Sequence, residues 1–375
     1  MIRYLTACAL TVAIETGFFL LLGWRDRDRI AAVVCANVVS NLLLNLCLSR
    51  WVPFNAWSIA LGELLVDFTQ SGQSPQGNPL YEANPGGAPA NVLAMLAKLG
   101  QNCAFIGKVG RDRFGDLLEE TVRQAGIDAG GLAREDAVPT TLAVVSTGPD
   151  GDRSFSFYRS PGADLCLRPE DLDPNRIRNS RIFHFGSLSL TDEPCRSATV
   201  AAVAAAKEAG VLISFDPNLR EPLWADLAEA KVQIAWGLGQ CDILKISDNE
   251  LLFMTGEEDF GRGAAILREQ YPNIRLLNVT AGAEGSYSFC GEHRVFVPAC
   301  RLGGVIETTG AGDTFCACVL NYVLDHSLTD LTAGDLEAML AFANAAAYLV
   351  TTRKGAIRSM PERQEVEAVL VKMGR

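Results

Sequence analysis

From Ala56 onward, short apolar runs with strand character alternate with longer segments of helical period, and this alternation restricts the fold more than any other feature of the chain. Parallel strands need a long crossover, usually a helix, so the pattern implies a mostly parallel sheet with helices on both faces. Ser58 to Phe68 reads as a strand, Ala90 to Leu99 as a helix, Cys103 to Val109 as a strand and Phe114 to Ala125 as a helix. Strands follow at Ile182 to Phe185, Leu212 to Asp216, Ile243 to Ile246, Arg275 to Thr280, Gly285 to Phe289 and Arg294 to Pro298. Helices are expected at Ser197 to Ala209 and over 314–325, 334–351 and 362–372. Two stretches break the rhythm, Val66 to Asn84 and Thr140 to Tyr158, and both read as short antiparallel strands around turns such as Pro149-Asp150-Gly151-Asp152. They would form a small sheet projecting as a lid. The expected fold is thus α/β, a three-layer α/β/α sandwich with lid strands from about 66–84 and 140–160.

The first 55 residues have another character. Residues 5–24 and 30–49 are apolar runs of about bilayer-spanning length, separated by Arg25-Asp26-Arg27-Asp28-Arg29. They read as a transmembrane hairpin that anchors a cytoplasmic domain, 56–375. Asn37, Asn41 and Asn45 recur at helical spacing and would put one polar stripe on the second helix, while Glu15 lies within the first. This orientation leaves the three arginines of the turn outside, against the positive-inside tendency. The alternative is an extraneous upstream fusion or a misplaced start.

A formal net charge of −11 argues against a nucleic-acid surface, which needs clustered Lys and Arg. The 11 cysteines are odd in number and contain no CxxC pair, so neither a disulfide framework nor a zinc site is expected. They read as reduced, intracellular thiols. His184, His293 and His326 lie far apart in sequence and receive no role.

The chemistry concentrates in Ile306 to Phe315, a polar, glycine-rich turn that runs directly into an apolar helix. Unpaired NH groups and the helix dipole make such a turn suited to phosphate. Gly310 and Gly312 let the backbone approach an anion, and Asp313 stands where its carboxylate can take a proton from an attacking hydroxyl. Alternatively, Asp313 is an N-cap and the glycines form only a tight turn. Gly86-Gly87-Ala88-Pro89-Ala90-Asn91 is a second glycine turn at a helix start. Asp67 follows Leu64-Leu65-Val66 at a strand's carboxyl end, where open parallel sheets bind ligands, and with Asn91 it could pair with vicinal hydroxyls; it could equally be a solvated turn residue. Asp216-Pro217-Asn218-Leu219-Arg220 and Lys245-Ile246-Ser247-Asp248-Asn249-Glu250 also follow strands. Their acidic and amide groups could position hydrated Mg²⁺, with Glu250 either acting through water or serving only as a first-turn residue. No GxxxxGK[ST] sequence occurs, which disfavours a P-loop enzyme.

Together these residues resemble the ribokinase-like (PfkB) carbohydrate kinase family over about Ala56 to Arg375. The blocks Gly86 to Asn91 and Thr308-Thr309-Gly310-Ala311-Gly312-Asp313-Thr314-Phe315 carry the likeness. The resemblance implies ATP with Mg²⁺ as donor and a sugar hydroxyl as acceptor. It implies that Asp313 is the general base and that the NH groups of Ala311, Gly312 and Asp313 form the anion hole. Gly62 to Phe68, His184 to Ser189, Asp216 to Arg220 with Trp224, and Lys245 to Glu250 are most similar to fructokinases, which convert D-fructose to fructose 6-phosphate. On that likeness Asp67, Gly86, Gly87 and Asn91 hold the sugar, with Arg159 reaching in from the lid. Lys245, Gly282, Gly285, Thr309 and Asn344 would line the nucleotide site. Glu307 stands where relatives usually carry an Asp that helps bind a monovalent cation, which leaves K⁺ activation open. Dimerisation through the lid is common among relatives. Two other readings remain: a kinase of 2-keto-3-deoxygluconate or a nucleoside on the same fold, and a membrane-tethered, non-catalytic sugar sensor.

Overall fold

A computed structural model describes residues 58–147 and 153–374. The expected hairpin at 5–49 lies outside the described residues, and among those described no helix is long and apolar enough to cross a membrane. Nine strands form the main sheet: β1 (Ser58–Leu61), β4 (Cys103–Gly110), β5 (Ile127–Glu135), β8 (Ile182–Gly186), β9 (Leu212–Asp216), β10 (Ile243–Ser247), β11 (Leu276–Thr280), β12 (Gly285–Cys290) and β13 (His293–Pro298). Their order is β13-β12-β11-β10-β9-β8-β1-β4-β5. All neighbours run parallel except β12, which is antiparallel to both β11 and β13. From β1 the chain winds first one way, to β4 and β5, and then the other, to β8 and beyond. The reversal creates a crevice at the carboxyl ends of the central strands.

Residues alternate between the faces of the sheet, as the strand period of two requires. Ala60, Cys103 and Phe105 pack on one side with α1 (Ala88–Lys98), α2 (Arg113–Gln124), α8 (Ala311–His326), α9 (Ala333–Thr351) and α10 (Arg363–Lys372). Ile59, Leu61, Ala104 and Ile106 pack on the other with α3 (Pro174–Arg178), α4 (Cys195–Glu208), α5 (Leu227–Leu238), α6 (Asp248–Thr255) and α7 (Phe260–Gln270). The result is the three-layer sandwich expected from the alternation.

The second sheet is the lid, in the order β3-β2-β6-β7, from β2 (Leu65–Gln73), β3 (Pro79–Gly86), β6 (Leu142–Thr147) and β7 (Arg153–Tyr158). Two expectations need correction. The run Ser58 to Phe68 is not one strand, because the chain leaves the main sheet after Leu61 and resumes as β2 in the lid. Nor is the lid wholly antiparallel: β2 and β6 pair in parallel, Val66 opposite Leu142 and Thr69 opposite Val145.

Candidate active site

Loops at the carboxyl ends of the main sheet, together with the lid, enclose a cleft of about 490 Å³. Glu63, Asp67, Gly87 and Asn91 line one part of it; Lys245, Gly282, Gly285, Thr309 and Asn344 line another, with Gly310, Ala311, Gly312 and Asp313 also on its wall.

Gly310 caps α8 with φ +77°, a left-handed conformation that glycine adopts at little cost. The N-cap is therefore Gly310, and Asp313 occupies the third helical position with its side chain free for another task. Asn91 Nδ2 donates to Asp313 Oδ2 at 2.8 Å, and Asn218 Nδ2 to Oδ1 at 3.4 Å. Burial raises the pKa of Asp313, opposed by the Asn91 hydrogen bond and by the charges of Lys245 and Arg220. In the same turn the Ala311 NH is already directed to the Thr308 carbonyl at 3.2 Å. The NH groups of Gly312 and Asp313 precede the first acceptor within the helix.

Lys245, on β10, sits beside this turn: a Cβ on Gly312 would lie 3.1 Å from its ammonium. Its Nζ is 3.2 Å from Asp216 Oδ1 and 3.1 Å from Oδ2. Burial alone would lower the Lys245 pKa, yet the carboxylates of Asp216 and Glu250 outweigh it and raise it. Lys245 therefore stays charged. Burial pushes Asp216 the opposite way for a carboxylate, above the usual range despite the lysine.

On the opposite side, Gly87 holds φ +125°, and a Cβ there would overlap the Glu63 carbonyl. A Cβ on Gly86 would come within 2.9 Å of Asp67 Oδ2, although Gly86 is not itself on the cleft wall. Glu63 Oε1 accepts the Ala88 NH at 2.9 Å and fixes the start of the helix that carries Asn91. Its burial raises its pKa to about 7.

Several expected site residues are differently occupied. Arg159 does not reach the cleft: it is buried, with its guanidinium bound to Asp164, Thr191 and the Leu188 carbonyl. Asn344 reaches the cleft wall, but its amide donates to the Val297 and Pro298 carbonyls and accepts from Ser286. Glu250 lines the cleft, with one oxygen on the Leu219 NH and the other on the Ser247 NH, each at 2.8 Å. The latter bond belongs to a capping box, so the first-turn role weighed for Glu250 is present. Glu307 lies off the cleft wall and accepts the Gly355 NH at 2.9 Å.

Sequence reasoning gave no site role to Phe157, Leu188 or Arg220 and cast the amide of Asn218 only as one of the groups that could position Mg²⁺; all four line the wall. The signal for Asn218 was its place after Asp216-Pro217 at a strand end, where it adopts φ +45°.

Residues 59–363 match the family described as pfkB family carbohydrate kinase. Fructokinase-1 of Oryza sativa subsp. japonica is 41% identical over 310 residues, 82% of this chain and 95% of the relative. Fructokinase-2 of Solanum lycopersicum is 40% identical over 314 residues, covering 83% and 95%. Among solved structures, fructokinase of Xylella fastidiosa with bound ATP superimposes with a TM-score of 0.77 at 31% identity, covering 85% of this chain and 100% of the other. A double mutant of Vibrio cholerae O395 fructokinase, in fructose-, ADP- and potassium-ion-bound form, gives 0.73 at 31% identity, covering 85% and 99%.

Proposed function

The chain belongs to the pfkB family of carbohydrate kinases and is a sugar kinase, and we propose that it transfers the terminal phosphoryl group of ATP to the 6-hydroxyl of fructose. Two observations support fructose: the relatives of about 40% identity are fructokinases, and a similar solved structure holds fructose with ADP. The observation that carries the chemistry is Asp313, buried at a helix start on the cleft wall and gripped by Asn91 and Asn218.

In this reading Asp67, Gly87 and Asn91 hold the sugar hydroxyls. Asp313 takes the proton of the attacking hydroxyl, and burial makes it a stronger base than an exposed carboxylate. The NH groups of Gly312 and Asp313 and the ammonium of Lys245 face the charge that develops on the phosphate. The Ala311 NH joins them only by leaving Thr308. Gly282, Gly285, Thr309 and Asn344 shape the nucleotide end of the cleft. The lid excludes water, so the phosphate goes to sugar and not to hydrolysis.

A divalent ion fits this wall as one held mainly by phosphates and water. Among the described residues no three His, Cys, Asp or Glu side chains gather into a metal cage, and Mg²⁺ needs none. Glu250 would contact it through water, and the ion would neutralise charge between the phosphates. Glu307 would serve a potassium ion. The test is an acceptor panel of fructose, 2-keto-3-deoxygluconate and a nucleoside in a coupled ADP assay, with and without potassium. Fructose should give the highest kcat/KM; a higher value for another acceptor would displace it, and absence of ADP release with every sugar would favour a sensor.

A further inference from the structure

Strands β6 and β7 leave and rejoin the domain at neighbouring points, and one buried carboxylate holds both. Thr141, the residue before β6, donates its hydroxyl to Asp164 Oδ1. Arg159, the residue after β7, donates Nε to Asp164 Oδ2 at 2.7 Å, and its Nη2 lies 2.6 Å from the same oxygen. The rest of the guanidinium is also committed, Nη1 to Thr191 Oγ1 at 3.1 Å and Nη2 to the Leu188 carbonyl at 3.0 Å. The side chains of Arg159 and Asp164 are only 3% and 1% exposed.

The surroundings are built around this clamp. A Cβ at Gly162 would overlap Thr141 Oγ1 and approach Asp164 Oδ1 to 2.7 Å. The Thr141 carbonyl accepts the Val66 NH at 3.2 Å, joining the clamp to β2. Thr140 is held separately, its NH and hydroxyl each 2.8 Å from an oxygen of Asp112. A buried ion pair gives little net stability compared with apolar packing, but it can select one arrangement. Here that arrangement reaches the cleft, because Phe157 stands two residues before Arg159, and Leu188 is the residue whose carbonyl Arg159 holds; both line the wall.

We propose that Asp164 is a positioning residue for phosphoryl transfer: by tying Thr141 and Arg159 together it sets Phe157 and Leu188 over the acceptor and keeps water from the transferred phosphate. The proposal rests on the sugar-kinase reading and adds to it a residue outside the cleft.

Asp164→Asn in the full chain tests it, since Asn keeps the volume and removes the charge. Hydrogen exchange in β6 and β7 should accelerate while α8 and α9 keep wild-type protection. The acceptor KM should rise about tenfold with the ATP KM nearly unchanged, and ADP should form in excess of sugar phosphate. Wild-type exchange in β6 and β7, loosening of the whole domain, or one ADP per sugar phosphate would each overturn the proposal. Should Asp164→Asn fail to fold, Thr141→Val cuts one arm alone and should shift the same three quantities in the same direction by less; no shift in any of them overturns it. A wild-type chain that prefers another acceptor refutes only the fructose assignment, and the comparison is then made with that acceptor.

Discussion

Asn91 Nδ2 lies 2.8 Å from Asp313 Oδ2, so the first turns of α1 and α8 are joined directly through the proposed base. This bond orients the carboxylate and also sets how readily it ionises.

Asp313→Asn keeps the shape of the side chain and removes its basicity. Loss of a general base costs about 10²–10⁴-fold, so kcat should fall by that factor while calorimetry finds ATP binding intact. Turnover near the wild-type rate would remove Asp313 from the role.

Asn91→Ala should move the acid limb of the pH–rate profile. Burial raises the pKa of Asp313 and the Asn91 hydrogen bond lowers it, so deleting the bond raises it further. The base acts when ionised, so activity falls as pH drops through its pKa, and the variant should lose activity at a higher pH than the wild type. A limb that stays in place or shifts to lower pH contradicts the assignment.

Lys245→Met leaves Asp216 buried without its counter-charge. Breaking a buried pair in this way costs about 3–5 kcal/mol, which urea denaturation would detect. Adding Asp216→Asn should recover part of the loss, and strictly additive effects would show that the two side chains are not coupled.

Glu63→Gln should flatten the dependence of stability on pH. Burial lifts the Glu63 pKa from 4.5 to about 7, so between those values the folded chain holds a proton that the unfolded chain has released. Stability therefore falls as pH rises through this window, by up to about 3 kcal/mol from this group. Asp216, raised to about 7 by burial, contributes with the same sign and remains in the variant. Denaturation at both ends of the window should show a smaller difference than in the wild type; an equal difference would mean that Glu63 does not titrate there.

The strand–helix alternation made the central layers legible, because Ile59, Phe105, Phe183 and Phe215 are apolar wherever the sheet buries them. Strand β5 was not legible: Ile127–Glu135 contains Gly130 and Gly131, carries little β propensity, and pairs with β4 through a register shift. Helices α5 and α6 also escaped, α5 for want of a sharp apolar stripe and α6 because it is only 8 residues long, and α7 escaped although it is as long and as amphipathic as α1. In the site, the glycine turns announced themselves because they recur beside helix starts. The destination of Arg159 did not, since a charged residue after a lid strand reads equally as a ligand or as an anchor. Glu63 was hidden within what reads as one continuous strand, and only the chain's departure after Leu61 turns it inward.

The winding reversal at β1 divides the proposed labour along the chain. Glu63, Asp67, Gly87 and Asn91 come before the second winding begins at β8, whereas Asp216, Lys245, Gly282, Gly310 and Asp313 come after it. On the proposed roles, most acceptor contacts and the donor contacts fall in separate stretches, with Leu188 the acceptor-side exception just after β8, so a new acceptor could be acquired mainly by rewriting the early stretch.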